Sequence, residues 1–135
     1  MWTAQLGEGA RCDGVRVHSS PGPSDVDALR AAVFTRFMAD DQRSVYEARP
    51  LPVDPASKAA AIDYPAIVNG VLDLVIWSLA LPWDHLPGAL LLSEAGGWVS
   101  RLDGSPYVPT STGAGLVAAR SHTVWVPANA HWADR

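Results

Sequence analysis

Val71 to Leu79 is a near-continuous run of β-branched and aliphatic residues, and it constrains the fold more than any other feature. A strand with one wet face alternates apolar and polar residues, whereas this run barely alternates. It therefore reads as a strand covered on both faces, which requires packed layers on either side of its sheet. Helical segments to supply those layers are found before and after it. Ser24 reads as an N-cap, with Asp27 three residues on as an acidic capping-box variant. Val26, Leu29, Val33 and Phe37 then recur at spacings of three and four, predicting a helix to about Met38 that ends at Asp40-Asp41. Alanine-rich Ser57 to Val68 predicts a second helix, although Pro65 would suit a start near Asp63, within whose first turn a proline is tolerated. A third begins at Asp84 and stops at Gly96-Gly97.

The remaining segments fit the same layering. Gly7 to Ser19 reads as a hairpin turning at Asp13-Gly14, with Val15 and Val17 alternating beyond the turn and the preceding strand running back to Met1. Ser19 to Pro23 is a Ser/Pro/Gly linker, and Tyr46 to Val53 is proline-punctuated with room for one short strand. Trp98 to Leu102, the Asp103-Gly104 turn and Leu116 to Ala119 complete a small sheet. The fold class is α/β, an α+β layered sandwich. Residues 1–20 form a hairpin from an N-terminal sheet, and residues 21–135 form the α/β domain.

Composition narrows the function. At 135 residues and 48% apolar, the chain is long enough and greasy enough for one core. Ten basic residues against fourteen acidic ones leave a net charge of −4, and no basic stripe is present, which argues against nucleic-acid binding. The longest apolar run near the third helix, Leu86 to Leu92, is broken by Pro87 and Gly88 and is too short to span a bilayer. No secretory signal follows Met1, and Cys12, as the single cysteine, can form no internal disulfide. A soluble cytoplasmic protein is the expectation.

Two motifs carry chemistry. Pro82-Trp83-Asp84-His85-Leu86-Pro87-Gly88, followed by Ser93-Glu94-Ala95-Gly96-Gly97, resembles the C-terminal signature of the inositol monophosphatase family: a Trp-Asp pair, a glycine shortly after it, and a Glu-Ala-Gly-Gly helix end. Upstream, Gly7-Glu8-Gly9-Ala10 with Asp13-Gly14 resembles that family's glycine-rich hairpin. The two occur in family order and cover most of the chain. The resemblance implies the C-terminal part of the inositol monophosphatase/fructose-bisphosphatase-like fold and a Mg²⁺-dependent phosphatase acting on a small phosphate monoester of the polyol or sugar type. Mg²⁺ would neutralise the phosphate dianion and activate water, and it prefers hard oxygen ligands. By resemblance Asp84 is a metal ligand. His85 and Leu86 follow in the first turn, where free N–H groups favour anions, and His85 is a candidate phosphate contact. Without the resemblance, Asp84 reads as a helix N-cap and His85 as a surface histidine.

The resemblance also exposes departures. The family's Asp-Pro-Ile/Leu-Asp-Gly-Thr metal motif lies upstream of the hairpin, where this chain begins. Asp54-Pro55 continues as Ala56-Ser57-Lys58 and does not replace it. In inositol-specific members an acidic residue before Trp-Asp contacts the ring. Ile76, Trp77 and Ser78 stand there, which disfavours myo-inositol monophosphate. The family's Gly-Ser/Cys-Ala-Ala helix start is replaced by Lys58-Ala59-Ala60-Ala61. Asp25 and Asp27 read as helix-start residues, and Asp40-Asp41 as a solvated helix end. His18, His85, His122 and His131 show no zinc spacing, Ser111-Thr112-Gly113 reads as a loop, and no residue of this chain is assigned as catalytic.

Two functions follow. One is the C-terminal portion of a Mg²⁺-dependent phosphomonoesterase, inactive alone, whose missing N-terminal half supplies the remaining ligands. The resemblance also implies a homodimer. The other is a non-catalytic remnant or partner-binding subunit, associating through the sheet edge at Met1 to Leu6.

Overall fold

The computed structural model describes residues 1–48, 59–110 and 115–133. Among these residues the chain forms two sheets and four helices, with an apolar cluster on each face of the second sheet. β1 (Trp2–Gln5), β2 (Gly9–Cys12) and β3 (Val15–Val17) form an antiparallel meander. The expected turn at Asp13-Gly14 is present, with both residues at positive φ (48° and 82°), the geometry a tight hairpin turn needs. A second turn at Gly7 makes the motif three-stranded, because the strand before Asp13 reverses instead of continuing to Met1.

β4 (Ala31–Phe34), β5 (Leu74–Trp77), β6 (Trp98–Ser100) and β7 (Leu116–Ala119) form a second sheet in the order β4-β5-β7-β6. β5 is the predicted two-faced strand: all four of its residues are buried. Val75 and Trp77 face a cluster built from Tyr64, Ile67, Leu92 and Leu116, while Leu74 and Ile76 face a second one with Leu29, Val117, Val124 and Ala128. The period of two in a strand assigns these sides. Helices α2 (Ala60–Val68) and α3 (Pro82–Glu94) cover the first face, with the meander packed on α3. Helix α4 (His122–Ala133) covers the other.

One expected helix is absent. Between Ser24 and Met38 the chain makes a single 3-10 turn (Val26–Ala28) and then β4, parallel to β5. Asp25 rather than Ser24 caps the turn, its carboxylate accepting from the Asp27 amide at 3.0 Å. The three- and four-residue apolar spacing belongs to an element buried on both faces, where periodicity does not separate helix from strand. Asp40-Asp41 consequently starts a helix, α1 (Asp40–Ala48), in whose first turn two carboxylates suit the dipole. Tyr46 to Ala48 lie within α1, and the rest of the expected short strand falls outside the described residues, as do Asp54-Pro55 and Ser111 to Gly113. The second helix begins at Ala60, so Pro65 sits inside it. Burial of Tyr64, Ile67 and Val68 outweighs the lost hydrogen bond. α4 had no assignment from sequence.

An ion network ties the layers together. Asp73, fully buried just before β5, accepts from the Arg30 amide (2.8 Å) and guanidinium (3.2 Å) and from Arg120 (2.6 Å), so it links the starts of β4 and β5 to the end of β7.

Candidate active site

Because β4 and β5 are parallel, their carboxyl ends lie side by side, and in such sheets ligands bind beyond the strand ends. Thr35-Arg36-Phe37 leave β4 there and Ser78-Leu79 leave β5. The N-termini of α2 and α3 close the space, making a cleft of about 920 Å³ that includes Asp84 and His85.

Asp84 is the third residue of α3, after Leu81 at the cap position and Pro82 at the first helical position. It is exposed, and no hydrogen bond to its carboxylate is found among the described residues. Its role is therefore not that of an N-cap, since Leu81 holds that position. A carboxylate left free at a cleft wall is a hard oxygen donor that has spent none of its bonding capacity within the fold.

His85 is placed differently from the surface histidine of the sequence reading. It is 4% exposed. Its Nδ1 lies 3.2 Å from the Tyr64 hydroxyl, and its ring stands edge-on to Trp77 with centroids 4.7 Å apart. Burial lowers its pKa below the ordinary imidazole value, and the neighbouring Asp84 charge only partly opposes that. Burial likewise raises the Tyr64 phenol, which stays protonated. His85 thus anchors the floor of the cleft as a neutral ring.

The expected row of free amides at the α3 start is also revised. The Asp84 and His85 amides both bond to the Leu81 carbonyl (3.0 and 3.1 Å), and Pro82 has no amide, so Trp83 is left as the free donor of the first three. The start of α2 is more open. Ile62 and Asp63 bond back to the Ala59 carbonyl, which leaves the Ala60 and Ala61 amides unbonded among the described residues, at the cleft and at a positive helix end. Neither this pair nor Arg36 was identified as a site from sequence. Arg36 follows a strand that read as helix, and the two alanines have no functional group to betray them.

The second half of the motif has a structural role. Glu94, at the helix end of that motif, accepts from the Gly7 and Gly9 amides (2.9 and 2.8 Å) and so fastens the meander to α3. Those bonds hold its pKa below the ordinary carboxylate value. A Cβ at Gly88 would fall 2.0 Å from the Tyr64 ring, so this glycine lets α3 lie directly on α2. One at Gly97 would meet Leu92 at 2.3 Å.

The family model for the inositol monophosphatase family matches residues 1–132. The chain belongs to the inositol monophosphatase family. Among curated relatives, the chloroplastic phosphatase IMPL1 of Arabidopsis thaliana is 33% identical over 116 residues, which cover 78% of this chain and 30% of that protein. Among solved structures, a staphylococcal IMPase-II superposes with a TM-score of 0.82 at 18% identity, covering 97% of this chain and 53% of that one. The inositol monophosphatase of Anabaena gives 0.75 at 21% identity (96% and 53%), and the extragenic suppressor protein SuhB of Bartonella henselae gives 0.80 at 18% (97% and 52%). The chain thus spans about a third of the curated relative and about half of each solved chain. These matches establish the family's α/β fold. No helix among the described residues is long and apolar enough to cross a membrane.

The residues fit a Mg²⁺ site in part. Asp84 offers one oxygen donor of the right kind, and among the described residues no three His, Cys, Asp or Glu side chains gather to hold an ion.

Proposed function

We propose that this chain forms the Asp84 side of a Mg²⁺-dependent phosphomonoesterase site for a small phosphate monoester. The observation that carries this reading is the unbonded Asp84 carboxylate on the same cleft as the free Ala60 and Ala61 amides. Asp84 would hold Mg²⁺, which when bound would neutralise phosphate charge and activate water. The amides and Arg36 would orient the phosphate oxygens, and His85 would support the cleft floor and approach the phosphate. One carboxylate holds Mg²⁺ weakly, so full turnover would need further carboxylates from another polypeptide segment. The family resemblance suggests a polyol or sugar phosphate, and a homodimer as the assembly.

The test is phosphate release from a panel of monoesters with and without Mg²⁺, for the chain and for Asp84→Ala. Little turnover is expected from this chain by itself. Hydrolysis that persists unchanged in Asp84→Ala would overturn the role given to that residue. The non-catalytic, partner-binding reading rests on β1, which pairs with β2 along one edge and has no strand on its other edge among the described residues. Light scattering separates the two. An assembly abolished by a proline in β1, together with no Mg²⁺-dependent phosphate binding, would favour the second.

A further inference from the structure

We propose that the organic part of the ligand in this cleft is a flat aromatic group, so that the site takes an aryl or heteroaryl phosphate monoester rather than a polyol phosphate. The inference rests on the phosphomonoesterase reading and concerns the half of the cleft that reading leaves unassigned. Trp83 is 73% exposed, Phe37 62% and Leu79 44%, and all three line this one cleft. Phe34 and Trp77, stacked with centroids 6.2 Å apart, continue the same wall inward. Large apolar side chains gathered at one concave surface mark a binding site, whereas single exposed ones do not.

The polar groups of the cleft are few and suit a phosphate. They are the Ala60 and Ala61 amides, the Arg36 guanidinium, which sits 5.2 Å from the Phe37 ring centroid, the Asp84 carboxylate, the buried Tyr64–His85 pair, and the hydroxyl of Ser78, itself only 4% exposed. A polyol would bring several hydroxyls to this wall and lose their hydration against indole and phenyl faces. Each hydroxyl left unmatched costs on the order of 1–3 kcal/mol. An aromatic ring instead gains from offset or edge contact with Trp83 and Phe37. Trp77 and Ser78, which line the cleft where β5 ends, carry no charge. The volume of about 920 Å³ accommodates a bicyclic ring with its phosphate.

The experiment is calorimetric titration of the full chain at fixed Mg²⁺ with 1-naphthyl phosphate, myo-inositol 1-phosphate, inorganic phosphate and 1-naphthol. Naphthyl phosphate is expected to bind about tenfold more tightly than inositol phosphate. In Trp83→Ala and in Phe37→Ala, the ratio of naphthyl phosphate to inorganic phosphate affinity is expected to fall about fivefold. Both side chains are mostly exposed, so both variants should fold, as far-UV circular dichroism would verify. Equal affinity for the aryl and polyol phosphates overturns the inference and leaves the phosphomonoesterase reading standing. Binding of no phosphate at all overturns both. Naphthol binding as tightly as naphthyl phosphate, or a wild-type dimer that Trp83→Ala dissociates, overturns the inference by showing a generic apolar patch or a subunit interface.

Discussion

The two ends of α3 carry the two halves of one motif and do opposite things. At the C-terminal end Glu94 is committed: it accepts from Gly7 and Gly9, and the Ser19 amide bonds to the Ala95 carbonyl at 2.8 Å, so a separate sheet is fastened there. At the N-terminal end Asp84 is uncommitted, and Trp83 beside it is exposed. A carboxylate that bonds within the fold contributes to holding it, and one left unbonded at a cleft remains able to bind something else. The motif thus combines a fastening and an open donor on one rigid element, with the α2–α3 contact at Gly88 between them.

The contrast can be broken from the structural side first. Asp73 is fully committed, accepting from both Arg30 and Arg120. Burial pushes its pKa up, but hydrogen bonds from Arg30 and Arg120 outweigh that and leave it below the ordinary value. Asp73→Ala would leave Arg120, 12% exposed, without its buried partner, and should lower stability by about 3 kcal/mol in urea denaturation. Next, Gly88→Ala drives a methyl group into the Tyr64 ring. Even after the helix-propensity gain of alanine, a loss of about 2 kcal/mol is expected. An unchanged midpoint would show that α2 and α3 can part at no cost.

A smaller effect sits under the cleft. The folded-state pKa of His85 lies below the ordinary value of 6.5, so on acidification the unfolded chain takes up the proton first. The stability tied to neutral His85 is complete above pH 6.5 and is lost as pH falls from there through the folded-state value. Urea midpoints between pH 7.5 and 5.5 should show this decline, and His85→Phe should flatten it. The smallest expected effect separates the two ends directly. Glu94→Ala should speed amide exchange at Gly7 and Gly9, whereas Asp84→Ala should leave the unfolding free energy within about 0.5 kcal/mol of wild type and remove Mg²⁺-dependent phosphate binding. If Asp84→Ala unfolds the chain, the distinction between the ends fails.

Much of this was legible in the residues. The near-continuous apolar run from Val71 to Leu79 required a strand with two covered faces, Asp13-Gly14 required a tight turn, and the Trp83-Asp84 to Gly97 motif pointed to the family. What was not legible shares a cause. β4 has no polar face to reveal its period, so Val26 to Phe37 imitated a helix. His85 looked like a surface residue because no local pattern records that Trp77, eight residues earlier, and Tyr64, twenty-one earlier, converge on it. The fastening role of Glu94 was hidden because its partners lie more than eighty residues away.

By itself, then, the sequence determined the layered fold class and, through its ordered motifs, the family, since these rest on local spacing and side-chain type; Asp84 was singled out only by the resemblance. The tertiary structure alone decided which carboxylates the fold consumes and which it leaves open. It also gathered Trp83, Phe37, Arg36 and the bare amides of Ala60 and Ala61 around Asp84. The physical reason is the parallel pairing of β4 with β5, which brings the carboxyl ends of two strands from distant parts of the chain to one edge, between the first turns of two helices.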